Sequence, residues 1–188
     1  MSKLTISIII PHLNGRSHLF DCLTSLREQT FADFETLLVD NGSTDGSQDY
    51  VRRQFPEVTL IELGSNQGFT GACNAGYFAS QGDIVILLNN DTEAAPNWLQ
   101  TIVTAFEQHP EVGAIASKML LFDDRQRLHT AGDYVRVDGI PGNRGVWQED
   151  NGRFSTQEYV FSACGGSSAY RRTMLNEIGF LDDAYFFS

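Results

Sequence analysis

The chain has 188 residues, 41% of them hydrophobic and 20% charged, with a formal net charge of −11. That length suits one domain with a substantial core, and the composition is that of a folded globular protein rather than a disordered or repetitive one. With 13 Lys and Arg against 24 Asp and Glu, a nucleic-acid surface is excluded, because phosphate backbones are held chiefly by cationic side chains; a nucleotide held by helix N-termini, backbone amides or a bridging cation is not.

Residues 5–10 read as a buried strand, after which Leu19, Cys22, Leu23 and Leu26 recur at helical spacing. Residues 34–39 form a second strand, and Asp45-Gly46-Ser47 introduces a short helix to about Gln54 that Pro56 helps to end. Residues 58–63 give the third strand. A helix over 69–80 precedes a strand over 83–88, and Pro96 opens another helix that stops near His109-Pro110. This βαβα order predicts an α/β fold with a mainly parallel sheet and helices on both faces.

From 120 to 159 the texture changes, as Gly132, Gly139, Pro141, Gly142, Gly145 and Gly152 punctuate short runs. A turn-rich, partly antiparallel subregion beside the sheet is expected, kept ordered by Tyr134, Trp147, Phe154, Tyr159 and Phe161. Residues 159–163 read as a strand and 171–178 as a helix. Residues 179–188 are aromatic and acidic with no closing element, as expected of a chain that ends in mid-structure.

Cys22, Cys73 and Cys164 are odd in number and lack metal-ligand spacing, which fits a reducing compartment. The N-terminus enters a strand-like run without a secretory signal, and no apolar run approaches the ~18 residues of a membrane span. A cytoplasmic location is expected, with peripheral contact at the inner face of the membrane left open.

Three strand ends carry polar residues in the same relative place: Pro11-His12-Leu13-Asn14-Gly15, Asp40-Asn41-Gly42-Ser43-Thr44-Asp45, and Asn89-Asn90-Asp91-Thr92. Each alone suits a turn. In a parallel sheet, however, they share the carboxyl edge where open α/β sheets bind ligands. Asp40 could accept from the imide N–H of uracil or thymine, with backbone near Pro11 and His12 addressing the base; a structural role competes for His12. Asp91 suits Mg²⁺ or Mn²⁺, which take carboxylate and phosphate oxygens together. Between the third and fourth strands, Asn66, Gly71 and Asn74 lie in a glycine-rich run that permits close backbone approach and offers helix amides to an anion. It matches neither the dinucleotide fingerprint nor the P-loop, which disfavours a dehydrogenase or P-loop ATPase.

These motifs resemble glycosyltransferase family 2, the inverting nucleotide-sugar transferases of the GT-A fold, especially its rhamnosyltransferase-like branch. Five segments carry the resemblance in the family's order: residues 7–14, 39–46, 66–69, 87–92 and 179–183. It implies one GT-A domain, with residues 1–119 as the donor-binding part and 120–188 as an acceptor-side part incomplete at its end. Pro11, His12, Asn14, Asp40, Asn66, Gly71, Asn74, Asn89 and Asn90 would then serve the donor, a uridine or thymidine diphosphate sugar. Asn89-Asn90-Asp91 would be a DXD-type motif whose first acid is Asn, leaving Asp91 as the metal ligand. Gly165, Gly166, Asp182 and Asp183 would border a glycan or lipid-linked acceptor. The family's catalytic base belongs to a Glu-Asp pair expected after Ser188. Rival readings are a nucleotidyltransferase, a nucleotide-sugar-binding module without catalysis, and a hydrolase with Ser167 as nucleophile, for which no later histidine exists.

Overall fold

Four parallel strands form the centre of the protein, whose computed structural model describes residues 4–186. They are β1 (Ile6–His12), β2 (Phe34–Asp40), β3 (Thr59–Glu62) and β4 (Ile84–Leu88). Their lateral order is β3-β2-β1-β4. The chain therefore steps outward from β1 on one side through β2 and β3, then returns to place β4 on the other. That reversal leaves a crevice beyond the carboxyl ends of β1 and β4. Expectations that fall on residues 1–3 and 187–188 lie outside the described residues.

The central strands are apolar on both sides because helices cover both faces. On one face Ile6, Ile8 and Ile10 of β1, with Ile84, Ile86 and Leu88 of β4, pack with α1 (Arg16–Arg27), α2 (Ser47–Gln54) and α4 (Trp98–Gln108). The helices contribute Leu19, Cys22, Leu23 and Leu26, then Val51, then Leu99, Ile102, Val103 and Phe106. On the other face Ile9, Val39, Val85 and Leu87 meet Ala72 and Cys73 of α3 (Gly68–Ala79) and Leu175 of α5 (Arg172–Ile178). Each fully buried Ile or Leu contributes about 1.5–3 kcal/mol, so this double layer holds the strand ends in fixed relation.

Two antiparallel strands extend the sheet beyond β4: β5 (Ala114–Ala116) at the edge and β10 (Ser167–Arg171) between β4 and β5. The strand expected over 159–163 is absent. That segment contributes one isolated bridge, Ser162 to Asp133, and leaves Tyr159 and Phe161 84% and 72% exposed. Ser167, Ser168 and Ala169 are strand residues instead, all buried, because a site between β4 and β5 accepts small side chains whatever their intrinsic strand preference. Ser167 thus lies in a buried strand, not on a nucleophile elbow.

The excursion is two antiparallel hairpins, β6 (Met119–Leu120) with β7 (Leu128–Thr130) and β8 (Asp133–Val135) with β9 (Pro141–Asn143). Of the aromatics expected to keep it ordered, Trp147 is 66% exposed and Phe154 is half-buried with the Arg144 and Arg153 guanidinium groups over its ring, while Leu128 and Thr130 are buried.

Candidate functional site

His12 and Asp40 end β1 and β2 as in-register partners. Paired strand residues project to one side of the sheet, here the side of Ile10, Leu38 and α2, and both side chains are almost wholly buried. His12 Nδ1 lies 2.7 Å from Asn90 Nδ2 and Nε2 lies 2.8 Å from Ser47 Oγ. Burial holds the His12 imidazole below its ordinary pKa, against the upward pull of Asp40 and Asp45. The Ser47 hydroxyl donates to the Asp45 carboxylate, which also accepts from the Arg16 amide at 3.0 Å and the Ser47 amide at 3.1 Å. Partial burial pushes the Asp45 carboxyl up, but these three donors outweigh it and hold it below the usual range.

Asp40 is satisfied on one side only. Oδ2 accepts from the Ser43 amide at 3.2 Å and from Gln48 Nε2 at 2.9 Å. Oδ1 is buried without a hydrogen-bond partner among the described residues. Buried polar atoms are nearly always paired, so such an oxygen marks a place for a donor from outside the chain.

The strand-end loops are fastened to one another. Asn14, at a positive φ of 52°, accepts from the Thr44 amide at 2.8 Å, and its own amide donates to Ser43 Oγ at 2.9 Å. Asn41 donates to Asn66 Oδ1 and Gly68 O, both at 3.0 Å, and accepts from the Gln67 amide at 2.8 Å. Asn89 donates its amide to Gly166 O at 3.0 Å, which brings β4 against the start of β10. Asp91 is exposed just beyond Asn90.

Of the residues singled out in the sequence, Pro11, His12, Asn14, Asp40, Asn66, Asn89, Asn90 and Asp91 thus belong to linked strand ends, with Gly166 beside Asn89. Gly71 packs beside Gln67 and Gly165 near Phe69. Asn74 turns elsewhere: it donates to Leu181 O at 2.9 Å and to the Asp183 carboxylate, on the side assigned to the acceptor. Asp182 is exposed and accepts from the Ala184 amide at 2.9 Å. Ser47 and Gln48 carry no site signal in the sequence beyond the helix start at Asp45-Gly46-Ser47, and Asn41 is marked there only as one member of the polar segment after the second strand.

Among the described residues no group of three or more His, Cys, Asp or Glu could cage a metal ion. One exposed carboxylate beside two amide side chains nevertheless suits Mg²⁺ or Mn²⁺, which complete their shell with water and substrate phosphate. The residues fit a cation carried in with a diphosphate.

The family model described as glycosyl transferase family 2 matches residues 7–179. The O-antigen biosynthesis protein RfbC of Myxococcus xanthus is 31% identical over 191 residues, covering 96% of this chain and 15% of that protein. A mannosyltransferase of Pyrobaculum calidifontis, solved with GDP-Man and Mn²⁺, superposes with a TM-score of 0.66 at 21% identity, over 97% of this chain and 49% of that one. TarS of S. aureus, solved with UDP, gives 0.69 at 19% identity, over 97% of this chain and 52% of that one. These two share the fold, a GT-A α/β architecture. The chain spans 15% of the length of RfbC and 36% and 37% of the lengths of two other curated relatives that it matches.

Proposed function

The chain belongs to glycosyl transferase family 2, and from that premise we propose that it binds a nucleotide diphosphate sugar at the carboxyl edge of β1, β2 and β4 for inverting transfer to a glycan or lipid-linked acceptor. The unpartnered Asp40 Oδ1 carries this reading. A buried carboxylate oxygen with no donor is costly in the free protein and is relieved by an imide N–H, which uracil and thymine both offer. That neighbouring structures are solved with UDP and with GDP-Man and Mn²⁺ supports a nucleotide as the ligand.

In inverting transfer an acceptor hydroxyl oxygen attacks the anomeric carbon as the bond from that carbon to the diphosphate breaks, its electron pair leaving with the diphosphate. Asp91, with Asn89 and Asn90 beside it, would hold Mg²⁺ or Mn²⁺. When bound, the cation offsets the charge of the departing diphosphate. Asp40 and the backbone near Pro11 and His12 orient the base, and Asn14 and Asn66 brace the loops around it. Gly165, Gly166, Asp182 and Asp183 border the acceptor side. The hydroxyl proton goes to a general base. General-base assistance of this kind is worth about 10²–10⁴-fold. The setting is cell-surface polysaccharide synthesis on the cytoplasmic side; among the described residues no helix is long and apolar enough to cross a membrane.

Calorimetric titration with uridine, thymidine and guanosine diphosphates, with Mn²⁺ and with chelator, tests the reading. Metal-dependent binding of a pyrimidine nucleotide, lost in Asp91→Ala, is expected. A folded protein that binds none of the three would overturn it.

A further inference from the structure

His12 is hydrogen-bonded through both ring nitrogens, and the order of protons along its contacts is forced from one end. The Asp45 carboxylate can only accept, and it faces the Ser47 hydroxyl. Ser47 therefore gives its proton to Asp45 and keeps a lone pair for His12 Nε2 at 2.8 Å. Nε2 must then carry the ring proton, which leaves Nδ1 as a bare acceptor. Only the nitrogen end of the Asn90 amide can meet a bare acceptor at 2.7 Å. Asn90 Oδ1 is consequently the end of the amide turned away from the imidazole, and it belongs to a half-buried side chain one residue before Asp91.

We propose that Asp45, Ser47 and His12 are positioning residues that lock the Asn90 amide with its oxygen free, making Asn90 Oδ1 a neutral ligand for the cation that accompanies the nucleotide diphosphate. Without the chain the amide could turn over and present its NH₂ group, which repels a cation. Magnesium and manganese need oxygen ligands, and a single carboxylate at Asp91 leaves room for one supplied this way. A carboxylate at position 90 would offer oxygen in either orientation and would not need the chain. The proposal rests on the donor-site reading given above.

The test is a double-mutant cycle on Mn²⁺ affinity in the presence of uridine diphosphate, read from the electron paramagnetic resonance signal of free Mn²⁺. Ser47→Ala is expected to weaken Mn²⁺ binding by about threefold to tenfold in the Asn90 protein and not at all in the Asn90→Asp background. Equal weakening in both backgrounds would make Ser47 merely structural and overturn the proposal, as would no weakening in the Asn90 protein. Nitrogen-15 spectra of the histidine rings need no variant: His12 should carry its proton on Nε2 with Nδ1 bare, and the opposite tautomer would overturn the proton order directly. If the unsubstituted protein binds no Mn²⁺ with the nucleotide, the donor-site reading itself fails, and the ligand role of Asn90 with it.

Discussion

Asn41 at the tip of β2 is hydrogen-bonded to Asn66 in the loop before α3, with 3.0 Å between the Asn41 amide nitrogen and Asn66 Oδ1. The same side chain serves Gly68 O and the Gln67 amide, so one buried residue shapes three consecutive loop positions. Asn41→Ala removes all three bonds and leaves Gly68 O without this donor. A loss of about 1–3 kcal/mol is expected, together with faster amide hydrogen exchange at Gln67. Unchanged denaturation midpoints and exchange would mean that the loop holds its shape unaided.

Asp40→Asn separates binding from stability. The Ser43 amide and Gln48 Nε2 both donate to Asp40 Oδ2, so the new side chain will place its oxygen there. Its NH₂ then falls where Oδ1 now lacks a partner, and a donor would confront the N–H of the base. A hydrogen bond to a charged group is worth about 1.5–3 kcal/mol, so nucleotide affinity should fall at least about tenfold. Stability should stay level or rise, because a buried, half-satisfied carboxylate has been removed. Nucleotide affinity equal to that of the unsubstituted protein would remove Asp40 from the base site.

The parallel core was legible because β1, β2 and β4 are largely apolar runs followed by polar segments carrying Asn and Asp, and their alternation with helices implies a mainly parallel sheet; the GT-A architecture was implied by the family resemblance of the motifs. The second half was less so. Ser167, Ser168 and Ala169 have no strand signature; their pairing with β4 and β5 is a tertiary requirement that local pattern does not encode. In the site, Asp40, Asn90 and Asp91 stood out by position, while Ser47 did not, because its role depends on α2 beginning beneath His12. Asn74 was grouped with the donor loop from proximity in sequence, yet a residue two turns into α3 faces whatever packs on that helix, here the segment around Asp183.

Gly76 lets α3 lie close on the sheet. A Cβ there would sit 2.4 Å from Ile9 Cγ2 and 3.0 Å from Val39 Cγ2, both on wholly buried side chains. Gly76→Ala would gain roughly 1 kcal/mol of helix propensity, but overpacking a filled core typically costs about 1–3 kcal/mol. Net destabilisation is expected in urea denaturation, with little change in the slope. A more stable variant would mean that the helix can shift outward freely.

Stability should decline in mild acid because of His12. Burial lowers its pKa in the folded state below the ordinary 6.5. The unfolded chain therefore takes up the proton first as pH falls, so the contribution is full above about 6.5 and is lost as pH drops through the lower folded value. Asp45 acts in a separate window, since its folded pKa lies below 3.8. Denaturation midpoints measured between pH 7.5 and 5 should fall for the unsubstituted protein and fall less for His12→Gln. Parallel profiles for the two would assign the acid sensitivity to other groups.

Asn74 fastens the end of the described chain to α3, and its substitution can decide which substrate it serves. Its amide nitrogen holds Leu181 O and the Asp183 carboxylate, while Phe186 O accepts from the Phe69 amide at 2.9 Å, one turn earlier on the same helix. Leu181 and Phe180 pack against the apolar layer that α3 and α5 form with Ile9, Val39, Val85 and Leu87, and Phe180 stacks on Tyr77 with 4.6 Å between ring centroids. The apolar packing should hold residues 180 and 181 in Asn74→Ala, whereas Asp182 to Tyr185, exposed and hydrogen-bonded mainly among themselves, should loosen. Faster limited proteolysis in that stretch is expected, with nucleotide affinity unchanged, because the hydrogen bonds of Asn74 go to Leu181 O and Asp183 rather than to His12, Asp40 or Asn90. A loss of nucleotide affinity without change in proteolysis would return Asn74 to the donor site and would require α3 to turn toward the crevice when the ligand binds.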